Sequence, residues 1–116
     1  MLRRLHSIQT STIASGAALS GVIDMRFYSM LMVHMPSAWT PASIGFKTAS
    51  SKTGTYLPLY DDDGNLVQID SPSANRAYVA PATLAAASWV KLWSQNGTGT
   101  DTNQASDRAF TVETKA

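Results

Sequence analysis

The 116 residues carry nine Lys+Arg against eight Asp+Glu, a formal charge of +1, no cysteine, and 44% hydrophobic but only 15% charged residues. That length suits one domain of roughly 100–150 residues with one core, and the charged share is well below the roughly 25% of ordinary soluble domains. The missing thiol excludes disulfide frameworks, zinc-thiolate sites and cysteine nucleophiles, and the balanced charge argues against a nucleic-acid binder working by counterion release.

The chain opens Met1-Leu2-Arg3-Arg4, and its first acidic residue is Asp24. A secretory signal needs an apolar stretch of about 7–15 residues, which Ser7, Gln9, Thr10, Ser11 and Thr12 interrupt. The basic, Ser-rich, acid-poor start has the composition of a transit peptide but is short. Apolar runs reach only four residues, as at Met30 to Val33, far from the roughly 18 of a spanning helix, so no membrane segment is expected. Residues 1–17 are read as an N-terminal arm or first strand, and 18–116 as a single β-sandwich domain.

Strand signals follow in chain order. A polar first strand is expected at 7–13. From 23 to 35 the odd positions read Ile23, Met25, Phe27, Ser29, Leu31, Val33 and Met35, against Asp24, Arg26, Tyr28, Met30, Met32 and His34, which is period two. Such a run exceeds the usual strand of about five or six residues, so a bend or sheet switch is expected near 26–29. Further strands are predicted at 44–48, 55–60, 66–69, 77–79, 89–95 and 109–114. Lys52-Thr53-Gly54, Asp61-Asp62-Asp63-Gly64-Asn65, Ser71-Pro72-Ser73 and Asn96-Gly97-Thr98-Gly99 supply the turns between them. Short helical turns are predicted at 39–43, with Thr40 as cap and Pro41 at the first helical position, and at 81–87, which starts with Pro81. Many short strands separated by turns give an all-β sandwich or barrel.

Catalytic chemistry is sparse. The two histidines, His6 and His34, stand apart in sequence, and neither a Gly-x-Ser-x-Gly elbow nor a phosphate-binding Gly-x-x-x-x-Gly-Lys loop occurs. Asp61, Asp63 and Asn65 have the alternation of a calcium loop, but position six is Leu66 instead of Gly and position twelve is Pro72 instead of Glu. A hairpin turn with positive φ at Gly64 or Asn65 explains the same residues.

The aromatic residues carry more information. On 89–95, Val90 and Leu92 share one face while Trp89, Lys91, Trp93 and Gln95 share the other. With Val90 and Leu92 inward, Trp89 and Trp93 are free to cover a helix, stack on a sugar or meet another chain; the reverse orientation makes them core. Tyr28, Met30 and Met32 pose the same question on the 23–35 strand. Two apolar faces on one strand mean a buried central strand or a partner surface, and Met and large aromatics favour interfaces. Candidate protein-contact residues are therefore Arg3, Arg4, Tyr28, Met30, Met32, Trp89 and Trp93.

The phrases Ile23-Asp24-Met25-Arg26-Phe27-Tyr28, Met35-Pro36-Ser37-Ala38-Trp39-Thr40, Ile44-Gly45-Phe46, Tyr60-Asp61-Asp62-Asp63-Gly64 and Asn103-Gln104-Ala105-Ser106-Asp107-Arg108 together resemble small virion proteins of tailed bacteriophages. The resemblance is to jelly-roll cement or decoration proteins of the capsid, over about residues 19–115. It implies a jelly-roll-like antiparallel sandwich, homo-oligomeric clusters (a dimer or trimer) and binding to the major capsid protein. It also implies a place on the capsid exterior after assembly in the bacterial cytoplasm. No catalysis, cofactor, metal, nucleic acid or membrane is expected. Neck or tail placement is the nearest alternative. A carbohydrate-binding jelly roll using Trp39, Tyr56, Trp89 and Trp93 is the other.

Low charge suits a subunit that adheres through polar surface, because fewer ions are desolvated at the contact. Asp107 and Arg108 are expected to pin the last strand through local hydrogen bonds or an ion pair. A chain with little charge and surplus apolar surface is expected to be buried in assembly and less stable alone.

Overall fold

The computed structural model describes residues 5–116 of the chain. Nine strands follow one another: β1 (His6–Ile13), β2 (Ile23–Asp24), β3 (Met30–His34), β4 (Ser43–Ala49), β5 (Leu57–Pro58), β6 (Gln68–Ile69), β7 (Ala77–Val79), β8 (Trp89–Gln95) and β9 (Arg108–Lys115). They form two antiparallel sheets, one ordered β1-β9-β3-β7 and the other β2-β8-β4-β5, with β6 pairing β4 further along the same edge. The pairs β1–β9, β2–β8, β3–β7 and β4–β5 are nested. The chain thus winds like one long hairpin rolled over on itself, which is a jelly-roll sandwich.

Alternation explains why these strands face one another. Phe110, Val112 and Thr114 of β9 and Leu31 and Val33 of β3 point inward from the first sheet. Ile44 and Phe46 of β4 and Val90 and Leu92 of β8 point inward from the second. Ile13, Ile23 and Met25 belong to the same core. Trp39 packs edge-on against Phe110, with centroids 5.6 Å apart and planes at 77°, an arrangement that aromatic quadrupoles favour.

The period-two run at 23–35 is divided between the sheets, β2 in one and β3 in the other, around a turn closed by the Tyr28 amide donating to the Met25 carbonyl at 3.1 Å. The expected sheet switch is therefore present. Its turn also breaks the alternation, so Tyr28 packs against the core instead of standing with Met30 and Met32 on the outer face.

The predicted helical turn at 39–43 does not form. The Thr40 hydroxyl accepts from the Ala105 amide and from Arg108 Nη2, both at 3.1 Å, and so is not used as a helix cap. Gln104, 1% exposed, accepts from the Thr40 amide and donates to the Thr40 carbonyl and to Ser94 Oγ. These tertiary bonds hold the segment in a non-helical course that bends at Pro41. The second expected turn is present as a five-residue 3₁₀ helix, Ala82–Ala86, entered from Pro81 and anchored in the core by Leu84. Among the described residues, no buried side-chain polar atom lacks a hydrogen-bond partner, as expected where unmet groups cost about 1–3 kcal/mol each.

Candidate interaction surfaces

On the outer side of the second sheet, β8 presents Trp89, Lys91 and Trp93 opposite Ala49, Lys47 and Gly45 of β4. Three cations lie on three aromatic rings: Arg26 4.4 Å from Trp89, Lys91 4.5 Å from Tyr56 and Lys47 4.6 Å from Trp93. Each contact attracts through the ring quadrupole.

Trp93 is only 3% exposed. Gly45 leaves room for its ring, and Nε1 donates to Asp101 Oδ1 at 2.7 Å. The 96–101 loop that covers it is organised by Gln95, whose Oε1 accepts from the Gly97 and Gly99 amides while its Nε2 donates to Gln68 Oε1. Trp93 is thus shielded by its own chain and does not present a contact surface. Trp89 is half-buried beneath Arg26. Arg26 also forks onto Asp24, with Nε to Oδ1 at 3.1 Å and Nη2 to Oδ2 at 3.0 Å. The hydrogen bond from Arg26 holds the Asp24 carboxyl below its ordinary pKa, against a smaller opposing effect of burial. Burial pushes the Tyr56 phenol up.

The outer side of the first sheet is different. Ile8 of β1 is 62% exposed, Met30 of β3 41% and Val79 of β7 71%. Met32 is half-buried among them. Met30, Met32, Val79, Glu113 and Lys115 line a hollow of about 220 Å³. At the centre of the face, Glu113 has His34 Nε2 at 3.4 Å on one side and His6 Nε2 at 3.9 Å on the other. The sequence separates these three residues widely. Only the β1-β9-β3 strand order brings them together, and period two in each strand puts them on one face.

Of the candidate contact residues, the structure gathers Met30 and Met32 on this outer face and places Trp89 on the opposite side of the sandwich. Arg3 and Arg4 lie outside the described residues. Asp61, Asp62 and Asp63 bring carboxylates within 4.8 Å of one another. The turn consumes much of that capacity, because Asp61 Oδ1 accepts from the Asp63 and Asn65 amides and Gly64 takes the positive φ of 81°. A further hollow, of about 430 Å³ beside β4 and the 3₁₀ helix, is lined by Thr48, Ser50, Thr55, Ser88 and small or aliphatic neighbours. Asp107 and Arg108 hold the start of the last strand mainly through distant partners instead of the local bonds or ion pair expected: Asp107 Oδ1 accepts from the Ser15 amide at 2.7 Å, and Arg108 donates to nearby Gln104 and to Thr40.

No family model matches the chain, and no curated protein does. Among solved structures, the fold is similar to the crystal structure of the SPBc2 prophage-derived protein YomS, with a TM-score of 0.55 and 14% identity over 100% of this chain and 99% of that one. At that identity the likeness establishes a shared fold from end to end.

Proposed function

We propose that this chain is a non-catalytic structural protein of a tailed-bacteriophage particle. In this reading it is a cement or decoration protein that binds the major capsid protein on the shell exterior and associates with further copies of itself. The observation that carries the reading is the jelly roll matched over its full length by a prophage-derived protein of equal extent, together with the phage-like phrases of the sequence. The outer face of the first sheet supports it. Ile8, Met30 and Val79 are exposed there with few charges, the composition of a surface that protein contacts cover.

The carbohydrate-binding alternative loses support from the same geometry. Trp93 is covered, Trp39 packs on Phe110, and the rings of Trp89 and Tyr56 already have cations over them, whereas sugar stacking needs a free ring face. Reconstruction of the virion tests the proposal: density for this fold is expected on the outside of the shell. Density at the neck or tail, or none on the particle, overturns the cement role.

A further inference from the structure

Most sheet edges in this sandwich are blunted, in the ways that edge strands usually are. β2 is two residues long and is followed by the Asp24–Arg26 ion pair, β5 carries Pro58, and β7 is three residues long. β1 is the exception. It has eight residues in unbroken register with β9, no proline, and no Asp, Glu, Lys or Arg in its sequence His-Ser-Ile-Gln-Thr-Ser-Thr-Ile.

The direction of its backbone groups follows from the ladder. The Ala116 amide donates to the Leu5 carbonyl, and hydrogen-bonded pairs alternate in an antiparallel ladder. Leu5, Ser7, Gln9 and Ser11 therefore bond toward β9, while His6, Ile8, Thr10 and Thr12 turn their N–H and C=O groups to the outer edge. Thr12 confirms the parity, because its carbonyl accepts from the Gly21 amide on that outer side. For His6, Ile8 and Thr10, no backbone partner exists on the outer side among the described residues. The strand is also held in place from within. Ser7 bonds to Thr114, the Gln9 carboxamide clasps both the N–H and C=O of Asp24, and Ser11 Oγ donates to the Gly21 carbonyl. Such pre-ordering lowers the entropic cost of adding a strand.

We infer that β1 is the docking edge for a second copy of this chain, paired antiparallel about a two-fold axis at Ile8. Open groups at positions 6, 8 and 10 are self-complementary in one register. Ile8 faces Ile8 of the partner subunit, and His6 and Thr10 face the partner's Thr10 and the partner's His6. Each opposed pair exchanges both backbone hydrogen bonds, as adjacent antiparallel strands do. The two exposed Ile8 side chains then cover each other on the outer face, a favourable cross-strand pair, and no like charges meet. An isologous contact of this kind closes at two subunits. The inference names the partner copy left open in the proposed function, but it does not depend on attachment to a shell.

The test is the mass of the full chain in solution without particles, by sedimentation over a concentration series. Ile8→Pro removes an N–H that β9 does not use, and Ile8→Lys keeps the backbone but sets like charges on the two-fold axis. Leu57→Lys, at an exposed position of β5 on the edge of the second sheet, is the control. Wild type and Leu57→Lys are expected at twice the chain mass, and both Ile8 variants at the single-chain mass with unchanged far-ultraviolet circular dichroism. If Ile8→Pro fails to fold, Ile8→Lys decides. A monomeric or trimeric wild type overturns the inference, as does an Ile8→Lys dimer. A monomer whose particle binding is lost in Ile8→Lys assigns the edge to a strand of the shell, which overturns self-pairing while sparing the virion role.

Discussion

Gly45 and Trp93 face each other across the β4–β8 ladder, and the packing of one requires the identity of the other. A Cβ on Gly45 would stand 2.9 Å from Trp93 Cε3 and 3.3 Å from Gln95 Cγ. Both neighbours are held, the indole by Asp101 and Lys47 and the carboxamide by Gln68 and the 96–101 loop. Gly45→Ala is therefore expected to destabilise the fold by about 1–3 kcal/mol, the usual cost of overpacking, measured as a lowered urea midpoint. An unchanged midpoint would mean that the ring and loop yield freely. This is also where reading the sequence fell short. Period two put Trp93 on the face opposite Val90 and Leu92 but left open which face looks outward, and its cover comes from a loop that the strand pattern does not describe.

At the scale of elements, the passage from β2 to β3 is the part most legible in advance. Thirteen alternating residues overrun a strand, and the chain answers by changing sheets. The Asp24–Arg26 fork sits at that crossing, with Gln9 tying the Asp24 backbone to β1. Because the folded Asp24 carboxyl lies below its unfolded value, near 3.9 in model peptides, its contribution is present above that value. It is lost as pH falls through the folded pKa. Asp24→Asn is expected to be slightly less stable than wild type at neutral pH and equal to it in strong acid, the difference being small because the pair is solvent-screened. Urea unfolding of both proteins across the acid range checks this, and a gap that stays constant with pH would show that the carboxylate charge is irrelevant. Residues 39–43 are the counterpart. Thr40-Pro41 looks like a helix start locally, yet Gln104 and Arg108, distant in sequence, take the Thr40 groups for a different geometry.

At the scale of the molecule, the nested roll makes first and last strands neighbours: His6 stands opposite Lys115, and β9 lies between β1 and β3. Such non-local pairing places folding in the slow range for small domains, roughly milliseconds to seconds. Deletion of 108–116 removes the central ladder of the first sheet and the buried Phe110 and Val112. The shortened chain is expected to show no cooperative thermal transition, and a retained sigmoidal melt by circular dichroism would contradict that dependence. The same topology creates the candidate surfaces, since the face with Ile8, Met30, Val79 and the His6–Glu113–His34 cluster exists only once β1, β9, β3 and β7 are adjacent.

What the sequence determined by itself was the class of structure and the position of most strands. Alternation and turn residues act over a few neighbours, so they can be read locally. Composition likewise limited the chemistry, because absent thiols and scarce charges are properties of the chain and not of its folding. Only the tertiary structure decided which outward residues are open and which are covered. Trp93 and Tyr28 pass to the covered set through a loop and a turn, while Ile8, unremarked in its polar strand, becomes the centre of an unpaired edge. Exposure depends on what packs from elsewhere in the chain, and a strand's periodicity carries no record of its neighbour.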